Sequence, residues 1–219
     1  MRANNEQLLR WLRALFYVYV VGVLLSVLAL AVTIAPFSVG TWYTWAQRAV
    51  NLGVAVCLFL LSGRYRYAGV LNALSLLCTL VSLVLYPLLN ACGIQMQSAA
   101  YIETIKWLSR FAIVLSFLAL VLEYMAHAKI ADGDKQKWYI LLGCSFAITL
   151  VSNTAAYFLQ PIKDAVEVEA FIRISTVWNV VARTLSLFLS IANLVLLHRL
   201  IRAKEQEKYS SENTNLMKR

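Results

Sequence analysis

The chain has 219 residues, 61% of them hydrophobic and only 14% charged, with a net charge of +9 and a mean hydropathy of +0.68. Soluble domains run nearer half apolar and a quarter charged, so this composition excludes an ordinary water-soluble domain. With eight Gly and three Pro to break them, the apolar runs reach the length of a membrane span and do not alternate as barrel strands do; the sequence predicts an all-α polytopic membrane protein.

Residues 1–13, MRANNEQLLRWLR, form a polar and basic N-terminal segment, and 14–35 is then apolar up to Pro36. Ala29-Leu-Ala31 has the letters of a signal cleavage site. A signal's apolar core is about 7–15 residues, however, and this run is longer, so an uncleaved first helix is predicted. Further helices follow at about 44–62, 68–89, 105–126, 138–159 and 174–197. Together they form a six-helix transmembrane domain over 14–198, packed as one bundle of antiparallel neighbours. The longer connections, 90–104 and 160–173, are candidates for caps or short interfacial helices. Asp132-Gly133-Asp134 reads as a turn. The basic tail, 199–219, is expected to extend the sixth helix for a turn or two and then fray.

Six spans put both termini on one side. With the termini inside, fourteen basic residues fall on that side and six on the other. The positive-inside rule therefore predicts a multi-pass protein of the cell membrane with both termini cytoplasmic. Aromatic belts agree: Trp42, Tyr43, Trp45, Tyr86, Tyr101, Trp107 and Tyr157 at the outer level, and Trp11, Tyr65, Tyr67, Tyr124, Trp138 and Tyr139 at the inner one. The placement of the basic residues between apolar runs argues against nucleic acid and for membrane lipids as partners. Cys57, Cys78 and Cys144 fall in apolar runs and Cys92 in a connection. None forms a CxxC pair, which points to buried thiols rather than a zinc site or disulfide framework.

The tetrapeptide TLVS occurs at Thr79–Ser82 and again at Thr149–Ser152, each followed by a Tyr and then a Pro. Trp and Arg then open the following helix (Trp107 and Arg110; Trp178 and Arg183), and Trp45 and Arg48 open the second helix similarly. Three hairpins of common descent would give this pattern, as would chance in a biased composition.

Two groups of ionisable residues are candidate sites. At the outer level, Arg48 lies only ~24 Å above Arg64, and Arg183 the same distance above Arg199, at 1.5 Å per residue. A hydrocarbon core near 30 Å draws both arginines below the outer boundary. Arg110, ~28 Å from Lys129, sits at the boundary itself and reads as a snorkelling anchor. Arg183 belongs to a polar stripe of Ser175, Asn179, Arg183, Ser186, Ser190 and Asn193, whose steps of three and four keep one helical face. A polar face in lipid turns toward partner helices or a wet cavity. The first choice makes Arg183 a packing residue. The second makes Arg183, Asn179, Arg48 and Asn51 a pocket for an anionic or zwitterionic ligand, since guanidinium forks bind carboxylate or phosphate at two points. Weaker stripes occur in the second helix (Arg48, Asn51, Ala55, Ser62), the third (Asn72, Ser75, Thr79, Ser82) and the fifth (Ser145, Thr149, Ser152, Asn153), where small and hydroxyl residues fit close packing.

At the inner level, Glu123 and His127 are one turn apart, and His198 ends the sixth helix at a similar depth. Pairing of Glu123 with Arg64, Arg66 or His127 is the expected arrangement. A proton-coupled role is the sharper alternative, and no metal or cofactor is expected. Neither a Ser–His dyad, nor paired intramembrane Asp, nor a Gly-rich phosphate loop is present, so an enzyme is not predicted.

The six-helix layout with cytoplasmic termini, together with Ala31-Val-Thr-Ile-Ala35 in the first helix, resembles the substrate-binding S-components of energy-coupling-factor vitamin transporters. That resemblance implies a small-molecule site and a transport module docked on an Ala-x-x-x-Ala contact. Here the two alanines fall near the outer end, away from the cytoplasmic side. The sequence thus predicts an integral membrane protein that serves as a structural or interaction subunit of a membrane assembly, with other membrane subunits or further copies of itself as partners. The alternative is a small-molecule or lipid-binding transport component.

Overall fold

The computed structural model describes the backbone of residues 2–34, 40–91, 99–131, 133–165 and 168–216, and the side-chain surroundings of 6–34, 40–81, 84, 91, 102–131, 133–152 and 169–210. The described backbone is all-helical: α1 (Arg2–Ile34), α2 (Gly40–Leu60), α3 (Arg64–Ala91), α4 (Ala99–Ile130), α5 (Lys135–Ala165) and α6 (Val168–Leu216). Each predicted span is a helix. Three of them, within Glu6–Ile34, Ile102–Ile130 and Glu169–Ser210, are long and apolar enough among the described residues to cross a membrane.

Several helices overrun the apolar stretches that announce them. α1 begins near the N-terminus, because Glu6, Gln7, Leu8 and Arg10 are good helix formers. The tail does not fray after a turn or two: α6 continues to Leu216 through RAKEQEK, which has equally high helix propensity. At 49 residues α6 is ~73 Å long, against ~40–45 Å for a bilayer with its headgroups, so it projects well past any membrane it crosses. The connections expected at 90–104 and 160–173 are mostly helix; residues 92–98 and 166–167, like Ala35 and Cys92, lie outside the described residues.

The chain divides into two compact units, one of residues 1–15 and 48–126, the other of 16–47 and 127–219. In the first, α2 and α3 form a hairpin. Gly63, at φ +68°, supplies the left-handed turn that most side chains resist. Leu61 N–H donates to the Cys57 carbonyl at 3.2 Å, and Arg66 N–H to the Gly63 carbonyl at 3.2 Å, closing one helix and opening the next. The two helices then come into backbone contact at Gly69. A Cβ there would stand 2.5 Å from the Phe59 nitrogen and 2.7 Å from the Ala55 oxygen. Small residues permit this approach: Ala55 and Ala68 are buried beside Leu58 and Leu61. Further along α3, the buried Ser75 hydroxyl reaches α4, within 2.9 Å of the Ala112 carbonyl and 2.6 Å of the Ser116 hydroxyl. α4 buries Leu115 and Ala119 while leaving Trp107, Phe111, Val114 and Leu118 exposed along one stripe.

In the second unit α5 packs along α6. Asp134 starts α5: its carbonyl accepts from the Lys137 and Trp138 amides, and its carboxylate pairs with the Lys137 ammonium. Trp138, Leu141 and Ser145 are buried on α5, and Asn193, Leu197, Leu200 and Ile201 on α6. The opposite face of α6 leaves Val177, Val181, Leu185, Phe188 and Val195 exposed.

Gly69→Ala must push α2 and α3 apart and is expected to cost ~1–3 kcal/mol, the range for overpacking. Gly63→Ala, which meets no atom within 4 Å and suffers backbone strain only, should cost ~1–2 kcal/mol. Thermal unfolding in detergent tests both changes; an unchanged Gly69→Ala protein would contradict the close crossing.

Candidate functional site

The polar stripe of α6 is where the outer candidates can be followed. Ser175 donates to the Ile172 carbonyl at 2.9 Å, Ser190 to Ser186 at 2.9 Å, and Thr184 beside the stripe to Val180 at 2.7 Å. These hydroxyls bond back to their own helix and need no ligand. Arg183 behaves differently. Its Nη1 donates across to the Ala29 carbonyl of α1 at 3.3 Å, at the long end of the useful range. The same carbonyl accepts the Thr33 hydroxyl at 2.7 Å.

The stripe changes character along its length. Asn193, at the C-terminal end of the stripe, is buried with its Oδ1 lacking a hydrogen-bond partner among the described residues. Asn179, Arg183 and Ser186 are exposed. Arg48, half-buried, and Asn51, exposed, belong to the first unit, whereas Arg183 and Asn179 belong to the second. Arg110, on α4, lies with its guanidinium carbon 5.5 Å from the Trp107 ring centroid, and both are exposed. A guanidinium over a tryptophan face at this distance makes a cation–π contact.

In the second candidate group Glu123 and His127 are buried, whereas His198 is exposed. In the first unit Glu123 is 2% exposed, and its charge acts on the buried Tyr65 at the start of α3. Burial, and then that charge, push the Tyr65 phenol well above the usual tyrosine range. Arg66, one of the cations expected to pair with Glu123, has its guanidinium carbon 4.9 Å from the Phe59 ring centroid.

In the second unit His127 is wholly buried and stacks on Trp138, with ring centroids 4.4 Å apart and planes at 32°. His198 is exposed and lies against Phe16 of α1, centroids 5.6 Å apart. The two histidines thus occupy different surroundings. Among the described residues no group of three or more His, Cys, Asp or Glu is placed to hold a metal ion.

Tyr65, Tyr124 and Trp138 read in the sequence as members of the inner aromatic belt, yet they are buried, and Tyr65 and Trp138 serve the candidate group directly. Tyr67 and Tyr139 are exposed. Only the direction in which each ring faces its helix separates the two sets, and a short span cannot supply it. On the outer side, Tyr86, Tyr101 and Tyr157 lie outside the described side chains, as do Ser82 and Asn153 of the weaker stripes.

No protein-family model matches the chain, and comparison with curated proteins and with solved structures finds no match either.

Because the folded chain holds the Tyr65 proton where the unfolded chain releases it, the contribution from Tyr65 is fully present below pH ~10 and is lost as pH rises further. Tyr65→Phe should therefore flatten the fall of stability above pH ~10. Equal alkaline slopes for the two proteins, measured by chemical denaturation in detergent, would contradict the buried Tyr65 environment.

Proposed function

We propose that this chain is a six-span integral protein of the cell membrane, with both termini cytoplasmic, and that it acts as a non-catalytic structural or interaction subunit of a membrane assembly. The observation that carries this proposal is the exposed polar half of α6. Asn179, Arg183 and Ser186 lie on a helix apolar enough to cross a membrane, and they are exposed among the described residues. The Ala29 carbonyl engages one guanidinium nitrogen of Arg183; a guanidinium carries five N–H donors.

Leaving amide and guanidinium groups against hydrocarbon is costly, and membrane proteins cover such groups with partner helices. A second copy or another membrane subunit supplies that cover, with the exposed apolar stripes facing lipid. The distribution of basic residues supports the orientation, and the absence of any catalytic motif supports a non-enzymatic role. Nucleic acid has no place among the partners, because the basic residues flank the helices.

Native mass spectrometry of gently extracted protein tests the proposal. The expected result is an oligomer or subunit complex with no small organic ligand, weakened about tenfold by Asn179→Leu, the effect of ~1–2 kcal/mol for an interhelical polar contact. A monomer carrying a small molecule that leaves on Arg183→Ala would favour a transport component that binds it at Arg183 and Asn179.

A further inference from the structure

The second unit contains a cavity of about 290 Å³ where α6 passes the turn between α4 and α5. Its apolar floor includes the buried Trp138 and Leu200, together with Leu196. Three charged residues form part of its lining: Arg199, Asp134 and Glu207.

The charges are not equivalent. Asp134 is paired with Lys137, and Glu207 accepts from the Lys204 ammonium at 2.9 Å through both carboxylate oxygens. Arg199 has no ion pair or hydrogen bond among the described residues. Lysines from outside the lining thus pair with Asp134 and Glu207, and Arg199 is the cation of the described lining that has no such partner there.

Position narrows the occupant. Arg199 is the first cation after the apolar run of α6, at the level where that helix leaves the proposed membrane, and Lys137 of α5 pairs with Asp134 of the same lining. Volume narrows it further. A volume of about 290 Å³ stands at the lower edge of the range for small-ligand cavities. The space accommodates a headgroup and the first part of a chain, with the remainder left in lipid.

We propose that this cavity binds the phosphate headgroup of an anionic phospholipid, with Arg199 gripping the phosphate and Trp138 and Leu200 forming the apolar seat below it. A guanidinium fork matches a phosphate at two points, and basic pockets between helices on the cytoplasmic side suit anionic headgroups. The site rests on the reading of α6 as a membrane span with a cytoplasmic end.

The full chain is reconstituted in nanodiscs of equal parts phosphatidylglycerol and phosphatidylcholine, and the lipids retained after release are weighed by native mass spectrometry. Wild type should retain phosphatidylglycerol over phosphatidylcholine by about fivefold, what one basic residue contributes near an anionic surface. Arg199→Ala, which removes the charge, and Ala203→Phe, which fills the cavity from its wall, should each abolish the preference. Arg202→Ala, an exposed cation absent from the lining, should keep it.

A preference that survives Arg199→Ala or Ala203→Phe, or that falls equally in Arg202→Ala, overturns the site in favour of a diffuse basic surface. Displacement of the lipid by soluble glycerol phosphate overturns the lipid as source in favour of a free phosphate. Alkaline carbonate extraction separates the two levels. A chain that stays in membranes yet shows no lipid preference refutes the cavity alone, while a chain washed from membranes refutes the span on which it rests.

Discussion

Inside a bilayer a leucine gains nothing by turning away from its surroundings, because lipid tails are as apolar as it is. Helices there hold together by close backbone approach and by polar groups that have no better partner. Both devices are visible in the described residues. Gly69 lets α3 touch the backbone of α2 at Ala55 and Phe59, and Ser75 joins α3 to α4 through Ala112 and Ser116. Arg183 reaches the Ala29 carbonyl of α1. The counterpart of this interior is an apolar exterior: Trp107, Phe111, Val114 and Leu118 on α4, and Val177, Leu185 and Phe188 on α6, are bare. In water such stripes would drive aggregation; against lipid they are neutral.

Magnitude separates the contacts that hold the helices from those that decorate them. The ion pairs of Arg173 with Glu169 and Lys204 with Glu207 lie at exposed positions one turn apart and contribute at most ~1 kcal/mol each. Each buried polar group has a larger effect. Glu123 beside Tyr65 and His127 on Trp138 are nearly or wholly removed from solvent, and removing a partner from such a group costs ~1–3 kcal/mol or more. The helix ends that carry Glu123, His127, Tyr65 and Trp138 are therefore more constrained than their content of leucine and valine conveys.

The helical class was legible because the apolar runs are long and unbroken, and the polar stripe of α6 was legible from its steps of three and four. Helix ends were not, since Glu, Gln, Lys and Arg continue a helix beyond the apolar run at little cost, as α1 and α6 show. Periodicity also fails to say where along a stripe burial begins. Asn193 is buried and Asn179 exposed on the same face of α6, and only the neighbouring helices decide between them. The Gly69 crossing carries no signature of its own among the small residues of α3. Tyr65 and Trp138, read as belt residues, are buried, while Tyr67 and Tyr139, two and one positions further along their helices, point in other directions and are exposed.

Six crossings and three differ in one unavoidable consequence, the side on which the chain ends. A fluorescent protein that matures only in the cytoplasm, fused in turn to the N-terminus and to the C-terminus in a bacterial inner membrane, reads that side directly. Fluorescence from both fusions is the result for six crossings with cytoplasmic termini. A bright fusion at one end and a dark one at the other would mean an odd number of crossings and would contradict the account.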